Sequence, residues 1–407
     1  MRLVLFVPHF PPDVAPTGEV AGRWVEQLAA RGHEIEVITS LPWYLGHAVE
    51  EEWRGRPWRT ERTDWGRIVR VHPFPAADKS SIPRRALSFV GFTAACTLAG
   101  LRPRRVDGVI AMSPPLTIGA TGWITARLRR GAYVFNVQDV YPDVLVDTGA
   151  MTEGRMVRLL SALEGWVYRR ADAVTVLSED LRANLAPRAD DPEKVRVIPN
   201  FVDLERIAPG ERENAYRREF GLEGRTVVTY AGNIGFSQPL ELLVEAADAL
   251  VDRPDVVIVV NGGGSGLDRL KALAGDRENL RFVPLQPRER LPEVLAAADV
   301  HVVALRRGLA RASVPSKLYS ILAAARPVLA SVDPGTEVAT VVEAAGAGVA
   351  VPAEDPEAFV AGLRPLLDDP EAARAAGVRG RDFVEGWLSP AGVAEAYEGL
   401  VAELRSS

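Results

Sequence analysis

The chain has 407 residues, 47% of them apolar and 25% charged, which excludes long disorder and exceeds the roughly 250 to 300 residues at which a single core stops growing. Lys plus Arg number 48 against 54 for Asp plus Glu, a net charge of −6, so no overall basic charge points to nucleic acid as a partner. The single cysteine, Cys96, excludes an internal disulfide framework, and no Cys/His pair has zinc-ligand spacing; a reducing, cytoplasmic compartment fits.

The first residues, MRLVLFVPHFPPD at 1–13, hold one basic residue and a short apolar run broken by Pro8, Pro11 and Pro12. They predict a strand over 2–7 and not a signal peptide. A helical pattern at 18–31 follows, then strands at 34–39, 67–71 and 107–111. Before the last of these lies ALSFVGFTAACTLAGL at 86–101, uncharged but 16 residues long, short of the roughly 20 that span a bilayer. With Arg84, Arg85, Arg102, Arg104 and Arg105 around it, segment 82–105 is either an interfacial helix in peripheral membrane contact or a helix buried against the sheet. Strands at 132–138, 173–177 and 195–198, with a helix at 153–170, complete the first half.

In the second half, strands at 226–230, 255–260, 279–283, 299–303, 326–330 and 347–350 alternate with helices at 238–251, 266–275, 315–325 and 355–368, and a helix at 390–405 ends the chain. Short β-branched runs alternating with helices predict α/β architecture with parallel sheets. Between the halves, Pro199, Pro209 and Gly210 in PNFVDLERIAPGEREN at 199–214 interrupt the pattern and mark a boundary.

Ligands of open parallel sheets sit beyond the carboxyl ends of the strands, so the residues after each strand carry the information. Strand 2–7 is followed by PHFPPDVAPTGEVAGRW at 8–24, which lacks the G-x-G-x-x-G of a dinucleotide site and argues against a nicotinamide or flavin enzyme. Thr17 and Gly18 open a helix there, either as plain capping or as N–H groups facing an anion. Strand 226–230 runs into AGNIGFSQPLELLVEAADAL, where Gly232 and Gly235 flank Asn233 and a helix is expected from near Ser237. That helix start suits a phosphate, or Ser237 is a simple N-cap. NGGGSG at 261–266 lets backbone approach a ligand closely, or is only a tight turn. In ASVPSKLYSILAAARPVLAS at 312–331, Lys317 falls in the first turn of a predicted helix. Its charge opposes the dipole there unless an anion is also bound; a solvated surface lysine is the alternative. The histidines add little: His33 reads as a turn residue, and His9, His47, His72 and His301 have no partner visible in sequence.

Together the segments RGHEIEVITS (31–40), QDVYPDVL (138–145), ADAVTVLSEDLRANL (171–185), VRVIPNFVD (195–203), YAGNIGFSQPLELLVEAA (230–247), ADVHVVAL (298–305), VPSKLYSILAAARPVLAS (314–331) and PGTEVATVVEAAGAGVAV (334–351) resemble the family 4 retaining glycosyltransferases. The resemblance spans almost the whole chain and is closest to the bacterial branch that builds capsule, exopolysaccharide and O-antigen units. It implies two Rossmann-like lobes with parallel sheets facing across a cleft, the fold called GT-B. An acceptor-binding lobe at 1–205 and a nucleotide-sugar-binding lobe at 206–385 are implied, with a helix at 386–407 crossing back to the first. A UDP- or GDP-linked sugar would be transferred with retention to a glycan or lipid-linked acceptor. The donor is a co-substrate; no cofactor and no metal are implied.

By position, the resemblance places Asn233, Gly235 and Gln238 in the phosphate-facing loop and makes Lys317, after Pro315 and Ser316, the main cation on the diphosphate. Gly18 would let the first loop reach that group, and Asp139 would point toward the transferred sugar or acceptor. Gly335, Thr336 and Glu337 resemble the family's Gly-x-Glu loop near the donor, and Leu285 falls where backbone groups meet the base. The chain departs from the wider family at its pair of carboxylates, whose positions are Ala312 and Ser320. This leaves the ribose contact to Glu337 or the Ser320 hydroxyl. Two other functions stay open: a sugar-nucleotide epimerase of the same architecture, and a non-catalytic subunit that binds a nucleotide sugar.

Overall fold

The computed structural model of the protein describes residues 1–44, 48–75, 82–102, 104–147, 151, 154–309, 317–387 and 389–406. The chain divides into two compact units, Met1–Asn200 with Pro390–Ser407, and Phe201–Ser389. Each is built on its own sheet.

The first sheet contains β1 (Arg2–Phe6), β2 (Glu34–Ser40), β3 (Trp58–Thr63), β4 (Gly66–Val71), β5 (Gly108–Ser113), β6 (Ala132–Val137), β7 (Ala173–Val176) and β8 (Val195–Val197). Their order is β3-β4-β2-β1-β5-β6-β7-β8. Every described pairing is parallel except β3 with β4. The central strands are apolar runs because both faces are covered; all six residues of β5 and of β6 are buried. Strand β3, WRTERT, escapes the sequence reading because it is an edge strand whose residues alternate between exposed and half-buried, so no apolar face advertises it.

The second sheet contains β9 (Thr226–Asn233), β10 (Val256–Gly263), β11 (Leu280–Val283), β12 (Val300–Ala304), β13 (Val328–Ser331) and β14 (Gly348–Val351), all parallel, in the order β11-β10-β9-β12-β13-β14. In both sheets the strand order reverses beside the first strand of the unit, at β1/β5 and at β9/β12, and such reversals open the crevices where ligands of α/β sheets bind.

Two expectations need correction in this unit. Strand β9 does not stop at 230 but continues to Asn233, pairing with β10 as far as Gly263. The helix expected from near Ser237 begins at Glu241, with Leu240 rather than Ser237 at the N-cap. Pro239 and the Gln238 side chain, whose Oε1 accepts from Gly235 N at 3.2 Å, turn the intervening residues back on themselves first.

The last helix, Pro390–Ser406, packs on the helix Pro16–Ala30 of the first unit. Trp24 and Tyr397 meet with ring centroids 4.2 Å apart. The Tyr397 hydroxyl sits in a buried polar cluster, 2.9 Å from Asn136 Nδ2 and 3.0 Å from Thr175 Oγ1. Glu398 accepts from Arg31 at 2.5 Å and lies 3.5 Å from His33. His33 lies between the Met1 amine, 2.9 Å from its Nδ1, and Glu398, and burial holds its pKa below the usual value.

Candidate active site

In the second unit, the structure gathers several of the expected donor residues beyond the carboxyl ends of β9 and its neighbours. Gly232 and Gly262 let β9 and β10 run closely together past the point where most strands diverge. A Cβ on Gly262 would lie 1.9 Å from Gly232 O, and one on Gly264 2.3 Å from Ile234 O and 2.7 Å from Asn233 Oδ1. The glycines of NGGGSG therefore form the floor on which the Asn233 to Gly235 turn rests. Gly262→Ala is expected to destabilise the protein by about 1 to 3 kcal/mol, the range for forced overpacking, measured as a drop in denaturant midpoint at unchanged slope.

Lys317 opens the helix Lys317–Ala323. Its Nζ stands 3.8 Å from the centroid of the Tyr230 ring and would be 3.0 Å from a Cβ on Gly232. The amine end is enclosed while the residue as a whole is half-buried, and loss of water around it pushes its pKa down to about 7. The Tyr230 face favours the charged form against that desolvation. Among the described residues no carboxylate pairs with Lys317. Tyr230 is itself fixed, its hydroxyl donating to Asn233 O at 2.5 Å, so one aromatic ring ties the lysine to the Asn233 turn.

Ser320 lies one turn after Lys317 on the same helix and is half-buried. Tyr319, next to it, donates to Glu337 Oε1 at 2.6 Å. Glu337 begins the helix Glu337–Ala344, where a negative charge suits the dipole. Before it, Gly335 has a φ of 73° that favours glycine, and Thr336 Oγ1 donates to Asp333 O at 2.7 Å. The helix that carries Lys317 is thus tied to Glu337 through Tyr319. Leu285 stands apart, 69% exposed beyond β11. Ser316, Pro315 and Ala312 lie outside the described residues, as does His47.

Sequence reasoning missed a second cation beside this turn. Arg306, after β12, donates from Nε to Phe236 O at 2.6 Å and from its backbone N to Ser237 O at 3.0 Å. Its guanidinium pairs with Glu241 at 3.2 Å and Glu354 at 2.7 Å. Arg306 therefore clamps the 235–238 turn. No motif surrounds it, and its partners are 65 and 48 residues away in the chain.

In the first unit, Asp139 lies two residues after the end of β6 and is half-buried. The chain before and after it is anchored. Gln138 Nε2 donates to Asn136 Oδ1 at 2.6 Å, and Asn200 Nδ2 donates to Gln138 Oε1 at 2.7 Å. Asp143 accepts from Arg188, which also reaches Glu164 at 3.2 Å. Burial raises the Glu164 carboxyl despite that arginine. Gly18 sits in the first turn of the helix Pro16–Ala30, its N–H donating to Ala15 O at 2.9 Å. Its missing Cβ leaves room for His9, whose own Cβ would be 3.1 Å away. His9 has a partner that the sequence alone did not suggest: Asp13, four residues on.

Residues 17–200 match the family model described as Glycosyl transferase 4-like domain, and residues 212–383 the model described as Glycosyl transferases group 1. WcaI of Escherichia coli K12, a glycosyl transferase assigned to colanic acid biosynthesis, is 31% identical over 379 residues, covering 90% of this chain and 92% of WcaI. The chain belongs to the family 4 glycosyltransferases. Among solved structures, sucrose-phosphate synthase from Thermosynechococcus elongatus superposes with a TM-score of 0.74 at 20% identity over 100% of this chain and 99% of its own. Anabaena HepE in complex with UDP-glucose gives a TM-score of 0.70 at 12% identity over 100% and 99%. These likenesses establish the GT-B fold for this family 4 glycosyltransferase. Membership also decides between two of the readings left open above, since it makes the protein a transferase rather than an epimerase.

Proposed function

We propose that this glycosyltransferase is a retaining, metal-independent enzyme that moves a sugar from a UDP- or GDP-linked donor to a glycan or lipid-linked acceptor in cell-surface polysaccharide biosynthesis. The observation that carries this reading is the enclosed Lys317 amine, held on Tyr230 beside the Asn233 turn with no carboxylate partner among the described residues. A desolvated amine in that setting is an anion site waiting for charge, and a diphosphate leaving group supplies it. Asn233, Gly235 and Gln238 shape the turn against that group. Glu337, Ser320, Gly335 and Thr336 lie toward the nucleoside, with Leu285 near the base. From the first unit, Asp139 meets the transferred sugar or acceptor, and Gly18 shapes the loop after β1. The polysaccharide context is supported by WcaI, and the uridine diphosphate donor by the ligand of HepE.

Thermal denaturation with UDP and GDP tests the donor assignment. The matching nucleotide at a hundredfold excess over its Kd is expected to raise Tm by about 5 °C, and no shift with either rejects it. Anomeric configuration of the product, read by NMR, tests retention; chelator is expected to leave turnover intact. Consumption of donor with no acceptor present, giving an epimer, would restore the epimerase reading.

Among the described residues no helix is long and apolar enough to cross a membrane. Peripheral contact through 82–105, at the inner face of the plasma membrane, belongs to the same proposal. The helix Ile82–Gly100 exposes Val90 and Leu98, and Leu101 follows, also exposed. Arg102 and Arg104 beyond it line a cavity of about 410 Å³ together with Arg2, Arg67 and Arg129 against only Glu34 and Glu36. The side chains of Arg84 and Arg85 lie outside the description. Flotation with phosphatidylglycerol vesicles should show binding that weakens as salt rises; no flotation at low salt rejects the contact.

A further inference from the structure

The loop after β1 holds a histidine that the donor site does not use. His9 Nδ1 lies 2.7 Å from Asp13 Oδ2, and Asp13 is 3% exposed, its other oxygen accepting from Tyr44 N at 3.1 Å. A carboxylate only accepts, so the ring nitrogen facing Asp13, Nδ1, carries a proton, and in the neutral imidazole the lone pair is then on Nε2. The imidazole stacks on Trp43, with centroids 5.6 Å apart and planes 25° apart, and Tyr44 meets it edge-on at 5.4 Å.

The backbone on either side of His9 is fixed. Ser40 Oγ donates to Pro8 O at 2.8 Å, and Arg70, almost wholly buried, donates to Phe10 O at 3.3 Å and Pro11 O at 2.5 Å. Support of this kind, with a locked ring and a tied loop, is what a binding side chain needs to hold one geometry. The position points the same way. His9 follows β1, whose neighbours are β2 and β5, so it stands at the reversal of strand order in its sheet. At the end of β5, across that reversal, the Ser113 hydroxyl is buried and has no hydrogen-bond partner among the described residues.

We propose that His9, oriented by Asp13, receives a hydroxyl of the acceptor sugar on its Nε2, with the exposed Tyr44 ring beside it presenting an apolar face to the pyranose. The proposal rests on the transferase reading only in calling that sugar the acceptor. It involves binding and orientation and adds no covalent step. His9 would be a contact of the acceptor, and Asp13 a positioning residue that acts through it.

The test uses the full-length protein and the side-chain resonances of its five histidines. Long-range proton–nitrogen correlation is expected to show His9 as the Nδ1–H tautomer; an Nε2–H tautomer overturns the proposal. Methyl glycosides of glucose, galactose, mannose, fucose and rhamnose are then titrated. At least one is expected to move the His9 Nε2 resonance. His9→Asn places an amide nitrogen where Nδ1 was and nothing at Nε2. It is expected to weaken that glycoside about tenfold, the loss of one hydrogen bond. His9→Gln places an amide at the Nε2 position and is expected to retain affinity within about threefold of wild type. Thermal shifts with UDP and GDP should match wild type in both variants, which separates loss of the subsite from loss of the fold. If no glycoside moves His9, or His9→Asn binds as wild type does, the proposal fails. A wild type that ignores both nucleotides sinks the donor assignment instead and leaves the glycoside titrations readable.

Discussion

Lys317→Ala is expected to lower turnover by about a thousandfold while leaving a folded protein. A unit charge pair about 4 Å apart is worth roughly 4 kcal/mol at an effective dielectric near 20. Where that attraction develops as the diphosphate leaves, it acts on the transition state, and roughly 4 kcal/mol is about a thousandfold in rate. Arginine should not restore it, because Tyr230 and Gly232 confine the space to a point charge. The pH dependence has a defined sign. Desolvation takes Lys317 from 10.5 to about 7 in the folded protein, so the unfolded chain binds the extra proton between those values. Stability of the ligand-free enzyme therefore rises with pH across that window, and Lys317→Met removes this rise. A bound diphosphate restores the charge, so nucleotide affinity should fall as pH climbs above about 7. Rates from steady-state assay and melts from pH 7 to 10 decide both points; a folded Lys317→Ala enzyme within about threefold of wild type contradicts the assignment.

The site was legible where chemistry is local in the chain. Lys317 stands out because a cation in the first turn of a helix conflicts with the dipole, and Asn233 and Gly235 because glycines follow a strand, whereas Gln238 came only with the family resemblance. What surrounds them was not legible. Tyr230 reads as one more apolar strand residue, yet its ring holds the lysine. Arg306 clamps the turn through contacts made only after β12 comes alongside β9. The Gly-rich 261–266 segment left close approach to a ligand and a tight turn both open, and the structure shows Gly262 and Gly264 pressed against the backbone of Gly232 and Ile234. His9 and Asp13 are four residues apart, but they are not on a helix. Their pairing depends on proline-rich turn geometry, and periodicity says nothing about that.

The fold followed a similar division. Strands covered on both faces are apolar runs and could be read directly, as β5 and β10 were. The ends of elements depended on partners. Strand β9 gains three residues because β10 offers Gly262 and Gly263 alongside, and the following helix is delayed by the turn that Gln238 closes. The edge strand β3 pairs with β4, and every second residue along it is exposed.

Deleting residues 390–407 is expected to unfold the first unit. Nothing in the local sequence of the last helix says where it docks, but Val393, Ala394, Tyr397, Leu400 and Val401 are all buried. Four of these are large, and burying each stabilises by about 1.5 to 3 kcal/mol, a total of about 6 to 12. The stability of a whole domain is about 5 to 15 kcal/mol, so the loss is comparable to all of it. Removing the helix also uncovers Trp24 and takes away the hydrogen bonds of the Tyr397 hydroxyl with Asn136 and Thr175. The surface pairs of this helix, Arg31 with Glu398 and Arg405 with Asp107, contribute little by comparison, and Glu398→Gln should change stability by no more than about 1 kcal/mol. The truncated protein should lose the cooperative transition of Met1–Asn200 and bind a hydrophobic dye, while Glu398→Gln melts as wild type does. Tyr397→Phe, which keeps the packing and removes the hydroxyl, should fall between them at about 1 to 3 kcal/mol. A truncated chain with an unchanged melting profile would show that the final helix is an accessory to the first unit and not part of its core.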